Sequence, residues 1–376
     1  MKKFKLAETI IVMAMLVFSA CGGGGGGGGS DDPDNPGDDP KNPVAPLEIN
    51  GDTYTYNLHG GSKFNVMLTP DIATTKKFPC NVNQDSLYDN ENEVANVPTR
   101  FIIGETEVTY QLWKEVYDWA TSSDRGLKIY KFSNAGREGN DGIIGAEPTA
   151  AKSEPVTTVN WRDANVWCNA LTEYYNEYNG SETNLKCVYY TDENYTTPLR
   201  ASTDTGIDST PGSQDNPYIY ASSTGNTNIA NCTAKGFRLP TTNEWEFAAR
   251  YIGKTMPSHL NYVEKDGIYY TKGNSASGAT ADFNNAGATS AVAVYGVSST
   301  AVVKTKASNT LGLYDMSGNV WEWCFTMDYE FDYFPIIRGG SYSNSEALVR
   351  LSLGYVSNNY AYVVNGNTGF RFCRTK

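Results

Sequence analysis

The stretch that decides the fold is "NTLGLYDMSGNVWEWC", Asn309–Cys324. It sets the turn dipeptide Gly318-Asn319 between an apolar run and two tryptophans. Gly and Asn are the residues that tolerate left-handed backbone. The dipeptide therefore reads as a scaffold corner that redirects the chain so that Trp321 and Trp323 enter a core. The same stretch gathers side-chain oxygens from Asn309, Asp315, Asn319 and Glu322.

Upstream, three segments share one grammar, a short extended run followed by an amphipathic helix. "TRFIIGETEVTYQLWKEVYDWA" (99–120) has Thr109 as helix N-cap and Leu112, Trp113, Val116 and Tyr117 near helical spacing. "PVTTVNWRDANVWCNALTEYYNEY" (155–178) places Ala164, Trp167, Cys168, Leu171 and Tyr175 on one face. "FRLPTTNEWEFAARY" (237–251) ends an extended piece at Leu239-Pro240, and the Thr241 to Glu244 spacing is that of a capping box. Residues 45–70 alternate apolar and polar and read as one or two strands. Downstream, "RGGSY" (338–342), "LVRLSLGYV" (348–356) and "TGFRFCR" (368–374) read as short strands and turns. Long Gly/Ser/Thr/Asn tracts lie between the helices, and no sustained strand–helix alternation appears, which argues against a doubly wound fold.

The N-terminus sets the compartment. Lys2, Lys3 and Lys5 precede the apolar run "TIIVMAMLVF", and small residues precede Cys21. Residues 1–20 read as a secretory signal, too short in its apolar part to span a bilayer. The cysteine directly after the small residues resembles a bacterial lipoprotein signal, with Cys21 as the lipidated mature N-terminus. Residues 21–44 carry eight glycines and then an Asp/Pro/Asn run. This is a flexible tether with nothing to bury, and its acidity resembles signals that send lipoproteins to the surface of Gram-negative cells. The expected location is the cell envelope, lipid-anchored at the outer membrane or cell surface. One domain, 45–376, remains.

The formal charge of −12 and pI near 4.8 argue against nucleic acid as a partner. Apart from Cys21, six cysteines are scattered without a CxxC pair, which disfavours a zinc framework. Some should pair in an oxidising compartment. Only His59 and His259 are present, so a three-histidine metal site is excluded.

The six segments "GETEVTYQLW", "PVTTVNWRDANVWCNAL", "FRLPTTNEWEFAAR", "NTLGLYDMSGNVWEWC", "RGGSY" and "TGFRFCR" occur in this order over residues of about 50–374. In that order they resemble the formylglycine-generating enzyme, or sulfatase-modifying factor, family. The resemblance implies an α+β fold of C-type lectin type with little regular structure. Its enzymes oxidise a sulfatase cysteine to formylglycine, with copper(I) held by two cysteines between "RGGS" and "GFR". Here the corresponding segment, "YSNSEALVRLSLGYVSNNYAYVVNGNT", has no cysteine, and copper(I) wants two soft thiolates. No copper is expected. Relatives that use three histidines for iron are excluded by the histidine count.

The expected function is therefore non-catalytic binding of a protein or glycan through the C-terminal segment. Its candidates are Tyr342, Ser343, Asn344, Ser345, Tyr355, Ser357, Asn358, Asn359, Tyr360, Tyr362, Asn365 and Asn367. Tyr offers large contact area at low entropic cost, and Ser and Asn offer adaptable hydrogen bonds. The bland alternative is an ordinary polar loop. This tail also resembles that of the diversified target proteins of diversity-generating retroelements. The alternative function is an oxidase converting a sulfatase cysteine, or another metal-dependent oxidoreductase, with a rearranged pair such as Cys324 and Cys373. The resemblance further implies calcium near the opening stretch, with Asn319 and Glu322 as ligands among the six to eight or so that calcium takes. Otherwise Asn319 caps a turn and Glu322 pairs with Arg338 or another buried cation. It also implies a disulfide between Cys168 and Cys373. Arg238, Glu244, Arg338, Gly339, Gly340 and Arg371 read as scaffold.

Overall fold

A computed structural model describes residues 47–49, 53–72, 77–80, 94–96, 100–149, 153–179, 184–328, 334–351, 354–356 and 360–376. The expected segments of signal peptide and tether, and Ser357, Asn358 and Asn359, lie outside the described residues, as does the side chain of Tyr355.

The expected helices form where the caps place them. Helix α1, Tyr110–Thr121, is capped by Thr109, whose side chain accepts from Leu112 N. Helix α2, Trp161–Asn179, buries Ala164, Trp167, Cys168, Leu171 and Tyr175. Helix α3, Thr242–Arg250, starts on the complete capping box of Thr241 and Glu244. The two unpaired backbone donors at its start are thereby satisfied reciprocally.

An antiparallel five-stranded sheet runs in the order Leu47–Ile49, Thr53–Asn57, Lys63–Leu68, Phe101–Gly104, Cys373–Thr375. The last strand of the chain thus closes a sheet begun by the first. A four-stranded sheet orders Gly354–Val356, Phe334–Arg338, Trp321–Asp328 and Thr368–Gly369, the last pair parallel. Tyr251–Gly253, Ile268–Thr271 and Tyr262–Lys265 form a smaller antiparallel sheet.

Large aromatics fill the space that short strands leave. Trp113 and Trp167 stack at 5.9 Å, and Phe370 meets Trp167 edge-on at 5.4 Å. Full burial of such a ring contributes about 3 kcal/mol. Of the short strands and turns expected over 348–356, Gly354–Val356 forms a strand, and Glu346–Leu348 just before is a single 3-10 turn. The reason is tertiary. Leu351 N donates to Ser275 O at 2.9 Å and Val349 is fully buried, so the segment is pinned to a loop rather than to a ladder.

Candidate functional site

The Gly318-Asn319 corner is built as the sequence indicates. Gly318 has φ +80° and Asn319 has φ +57°. A Cβ on Gly318 would stand 2.1 Å from Val294 O, so only glycine fits there. Beyond the corner, Trp323 is fully buried and its Nε1 donates to Val159 O at 3.2 Å.

Helix α3 organises the charges around this corner. Its "NEWE" residues reach three ways. Glu244 takes Arg238 through two bonds of 2.7 Å. Trp245 Nε1 donates to Glu322 Oε2 at 2.8 Å. Glu246 holds Arg338 at 2.8 Å and Arg250 at 3.0 Å. All these side chains are buried, and one unpartnered member would leave an uncompensated charge in the core.

At Asn319 and Glu322, where the resemblance implies calcium, the side-chain oxygens already have protein partners. Both Glu322 oxygens already accept, from Arg371 Nε (2.7 Å), Arg371 Nη2 (2.6 Å) and Trp245 Nε1 (2.8 Å). Asn319 Oδ1 accepts from Ala301 N at 2.9 Å, while its Nδ2 donates to Glu107 Oε2 at 2.7 Å. These two side chains do not fit a calcium cage. Among the described residues no cluster of three His, Cys, Asp or Glu stands ready for a metal. The buried cation opposite Glu322 is Arg371; Arg338 lies beside it in register on the neighbouring strand but spends its side chain on Glu246.

Two further acids crowd this core. Burial raises Glu107 well above the usual carboxylate range, and the negative charges of Asp315 and Glu322 add to the effect. Burial also pushes Asp315 up to about 6, against the opposing hydrogen bond from Lys304 N.

The cysteine expectations are also corrected. Cys168, Cys187, Cys232, Cys324 and Cys373 stand outside any disulfide. Cys168 and Cys373 are not joined; Arg238 Nη1 donates to Cys373 Sγ at 2.9 Å, and burial drives both thiols up. Cys324 is held likewise, its thiol facing Glu322 O at 3.9 Å and raised by burial. Cys324 thus faces a backbone carbonyl and Cys373 faces Arg238.

The tail candidates separate into scaffold and surface. Asn344 is scaffold: its Oδ1 accepts from Ser341 N at 2.8 Å and from Ser341 Oγ at 2.9 Å. Asn365 and Asn367 accept through backbone oxygens, from Thr158 N at 3.1 Å and Trp321 N at 2.9 Å. Ser343 and Ser345 are exposed, and Tyr342 is half-buried. Tyr360 and Tyr362 are half-buried and stack on each other at 5.5 Å, with Phe334 4.9 Å from Tyr360. Tyr362 also lies 5.4 Å over the Arg162 guanidinium, which Asp215 grips through two bonds of 2.6 Å. Sequence reasoning missed Arg162 and Asp215, because their pairing spans 53 positions and carries no local signal.

These features define a C-type-lectin-like α+β scaffold with an arginine-rich buried polar core. The chain belongs to the sulfatase-modifying factor enzyme 1-like domain family, whose model matches residues 73–376. It is 27% identical over 249 residues to a protein named chaperone protein LppX of Paenibacillus barcinonensis, covering 62% of this chain and 75% of that one. It is 30% identical over 159 residues to the inactive C-alpha-formylglycine-generating enzyme 2 of Bos taurus, covering 38% of this chain and 45% of the relative. Among solved structures it resembles Treponema denticola variable protein 1, with TM-score 0.55, 24% identity, and 86% and 99% of the two chains covered. It likewise resembles CarF, with TM-score 0.51, 24% identity, and 83% and 98% covered. Those structural likenesses speak to fold alone. No described helix is long and apolar enough to cross a membrane.

Proposed function

We propose that the protein is a lipid-anchored, non-catalytic binding protein of the cell envelope. It holds a protein or glycan ligand with the tail between Arg338 and Arg371. The observation that carries this reading is the pairing of two facts about one segment. The tail lacks the cysteines that the family's oxidation chemistry needs, and its described part sets the stacked, half-exposed Tyr360 and Tyr362 on a fixed Arg162–Asp215 base. A pre-ordered tyrosine pair binds at low entropic cost. The relative named an inactive enzyme supports the same direction.

Anchoring proceeds through lipid on Cys21, which places the domain outside the inner membrane on a tether that ends near residue 44. Diversification of the tail at adenine-rich codons fits its Asn, Ser and Tyr content. The test is direct. The domain is screened against glycan and surface-protein arrays, and Tyr360→Ala with Tyr362→Ala removes the binding found. Formation of formylglycine from a cysteine peptide, with copper and oxygen supplied, would sink the reading.

A further inference from the structure

Arg137 departs from the pairing that the buried arginines share. Arg162, Arg238, Arg338 and Arg371 are each joined to a carboxylate, Asp215, Glu244, Glu246 and Glu322 in turn. Arg137 is half-buried and has no such partner among the described residues, and its Nε is sealed from solvent without an acceptor. A buried donor left unpaired calls for an explanation. Glu138, the next residue, does not supply the missing charge. Strand alternation turns it to the opposite face, where its Oε2 accepts from Thr149 N at 2.8 Å.

The backbone places this guanidinium against the tail. Arg137–Glu138 pairs with Val156–Thr157 in a short antiparallel ladder, Arg137 opposite Thr157. Thr158, next along, donates its N–H to Asn365 O at 3.1 Å. The arginine thereby reaches Gly366, where a Cβ would stand 2.4 Å from its Nη2. The loop after Arg137 is closed by its own backbone, through Gly142 N to Glu138 O at 3.1 Å and Gly145 N to Gly136 O at 2.9 Å. It holds Ile143 and Ile144 out in solvent, 77% and 58% exposed. Asn140 ties this loop to Ser298 and Thr300, between the exposed Val297 and Val302. Val297 N in turn donates to Tyr342 O at 2.9 Å. The flank so formed meets the tail at Gly366 and again at Tyr342.

The chemistry selects the partner. With Nε sealed, the guanidinium is left its Nη edge to meet solvent. Two parallel N–H groups on that edge match the two oxygens of a carboxylate. The aliphatic side chains beside it offer no hydrogen bonds to the hydroxyls of a carbohydrate, and they suit the aliphatic side chains of a protein. Asp141, the exposed acid of the same loop, opposes a second negative charge. The flank therefore favours a single carboxylate set among apolar residues over an acidic run.

We propose that Arg137 is the carboxylate-recognising residue beside the tail, taking one aspartate or glutamate side chain of a protein ligand. The proposal rests on the tail reading and narrows its ligand to protein. The probe is acetyl-Leu-Glu-Leu-amide, titrated into the full chain, with acetyl-Leu-Gln-Leu-amide and methyl glucuronide as comparisons. Binding is read from the guanidinium NMR signals of isotope-labelled arginine, the Arg137 signals being those lost in Arg137→Gln. The glutamate peptide should move these signals and bind at least about fivefold tighter than the glutamine peptide. Arg137→Gln should weaken the glutamate peptide about tenfold, read from the peptide's own resonances. Gly366→Ala keeps the charge but displaces the guanidinium, and should weaken binding about threefold or more. Since no ion pair is lost, Arg137→Gln should leave the thermal midpoint in place; a drop of more than about 4 °C would assign the residue to the scaffold and overturn the proposal. Tyr360→Ala with Tyr362→Ala should leave the peptide titration within about twofold, so that failure of the tail reading is recorded separately. The proposal is also overturned if no Arg137 signal moves, if the two peptides bind alike, if Arg137→Gln binds as wild type does, or if methyl glucuronide binds at Arg137 more tightly than the glutamate peptide.

Discussion

Arg371 and Glu322 are joined by two hydrogen bonds, Nε to Oε2 at 2.7 Å and Nη2 to Oε1 at 2.6 Å, with both side chains fully buried. The remaining Arg371 donors reach Gly104 O and Tyr314 O, so one residue ties the corner motif to the five-stranded sheet. Glu322→Gln keeps the shape and removes the charge. It should cost about 3–5 kcal/mol, because Arg371 is left buried and unneutralised. Urea unfolding measures this, and a loss below about 1 kcal/mol would show that the pair does not hold the core.

Asp315 gives stability an uncommon pH dependence. Its folded affinity for a proton is raised, from the ordinary value of 3.8 to about 6. A group raised in this way contributes stability fully below its unfolded pKa and loses it as pH rises through the folded one. Stability should therefore fall between about pH 4 and pH 6 by an amount on the order of 3 kcal/mol, each tenfold change in proton affinity being worth about 1.4 kcal/mol. Glu107, also raised, acts in the same direction. Asp315→Asn tolerates the local φ of +55° and removes its share. Denaturation midpoints of the two proteins across this range decide the matter; parallel curves would refute the assignment.

In the tail, neighbouring polar residues should behave unequally. Asn344→Ala removes two hydrogen bonds to Ser341 and should cost about 1–2 kcal/mol. Ser343→Ala and Ser345→Ala, at exposed positions, should stay within about 0.5 kcal/mol. Thermal unfolding of the three variants separates display positions from scaffold.

Thiol titration checks the cysteines. In the native mature domain the buried thiols should resist an aromatic disulfide reagent, with only the half-buried Cys232 reacting slowly. In guanidinium without reductant, Cys168, Cys187, Cys232, Cys324 and Cys373 should all react. A count lower by two, with Cys168 and Cys373 missing, would restore the disulfide that the family resemblance implies.

Local chemistry made much of this fold legible. The capping box at Thr241 and Glu244, the left-handed corner at Gly318-Asn319 and the buried tryptophans each declare themselves within a few residues. Ordered motifs supplied the architecture. Pairing across the chain was not legible: the oxygens of Glu322 look like metal ligands until Arg371, 49 residues on, is brought against them.

The two arginines that bracket the tail carry a consequence for change over time. The side-chain partners of Arg338 (Glu246, Thr242) and of Arg371 (Glu322) lie outside the tail, and within it Arg338 takes only the Leu351 backbone carbonyl. The intervening residues behave as a cassette fastened at both ends and, through Val349 and Leu351, between them. Substitutions at its exposed positions leave either lock intact, and added length costs only slowly growing closure entropy. New ligand preferences can thus be sampled there while the rest of the molecule stays folded.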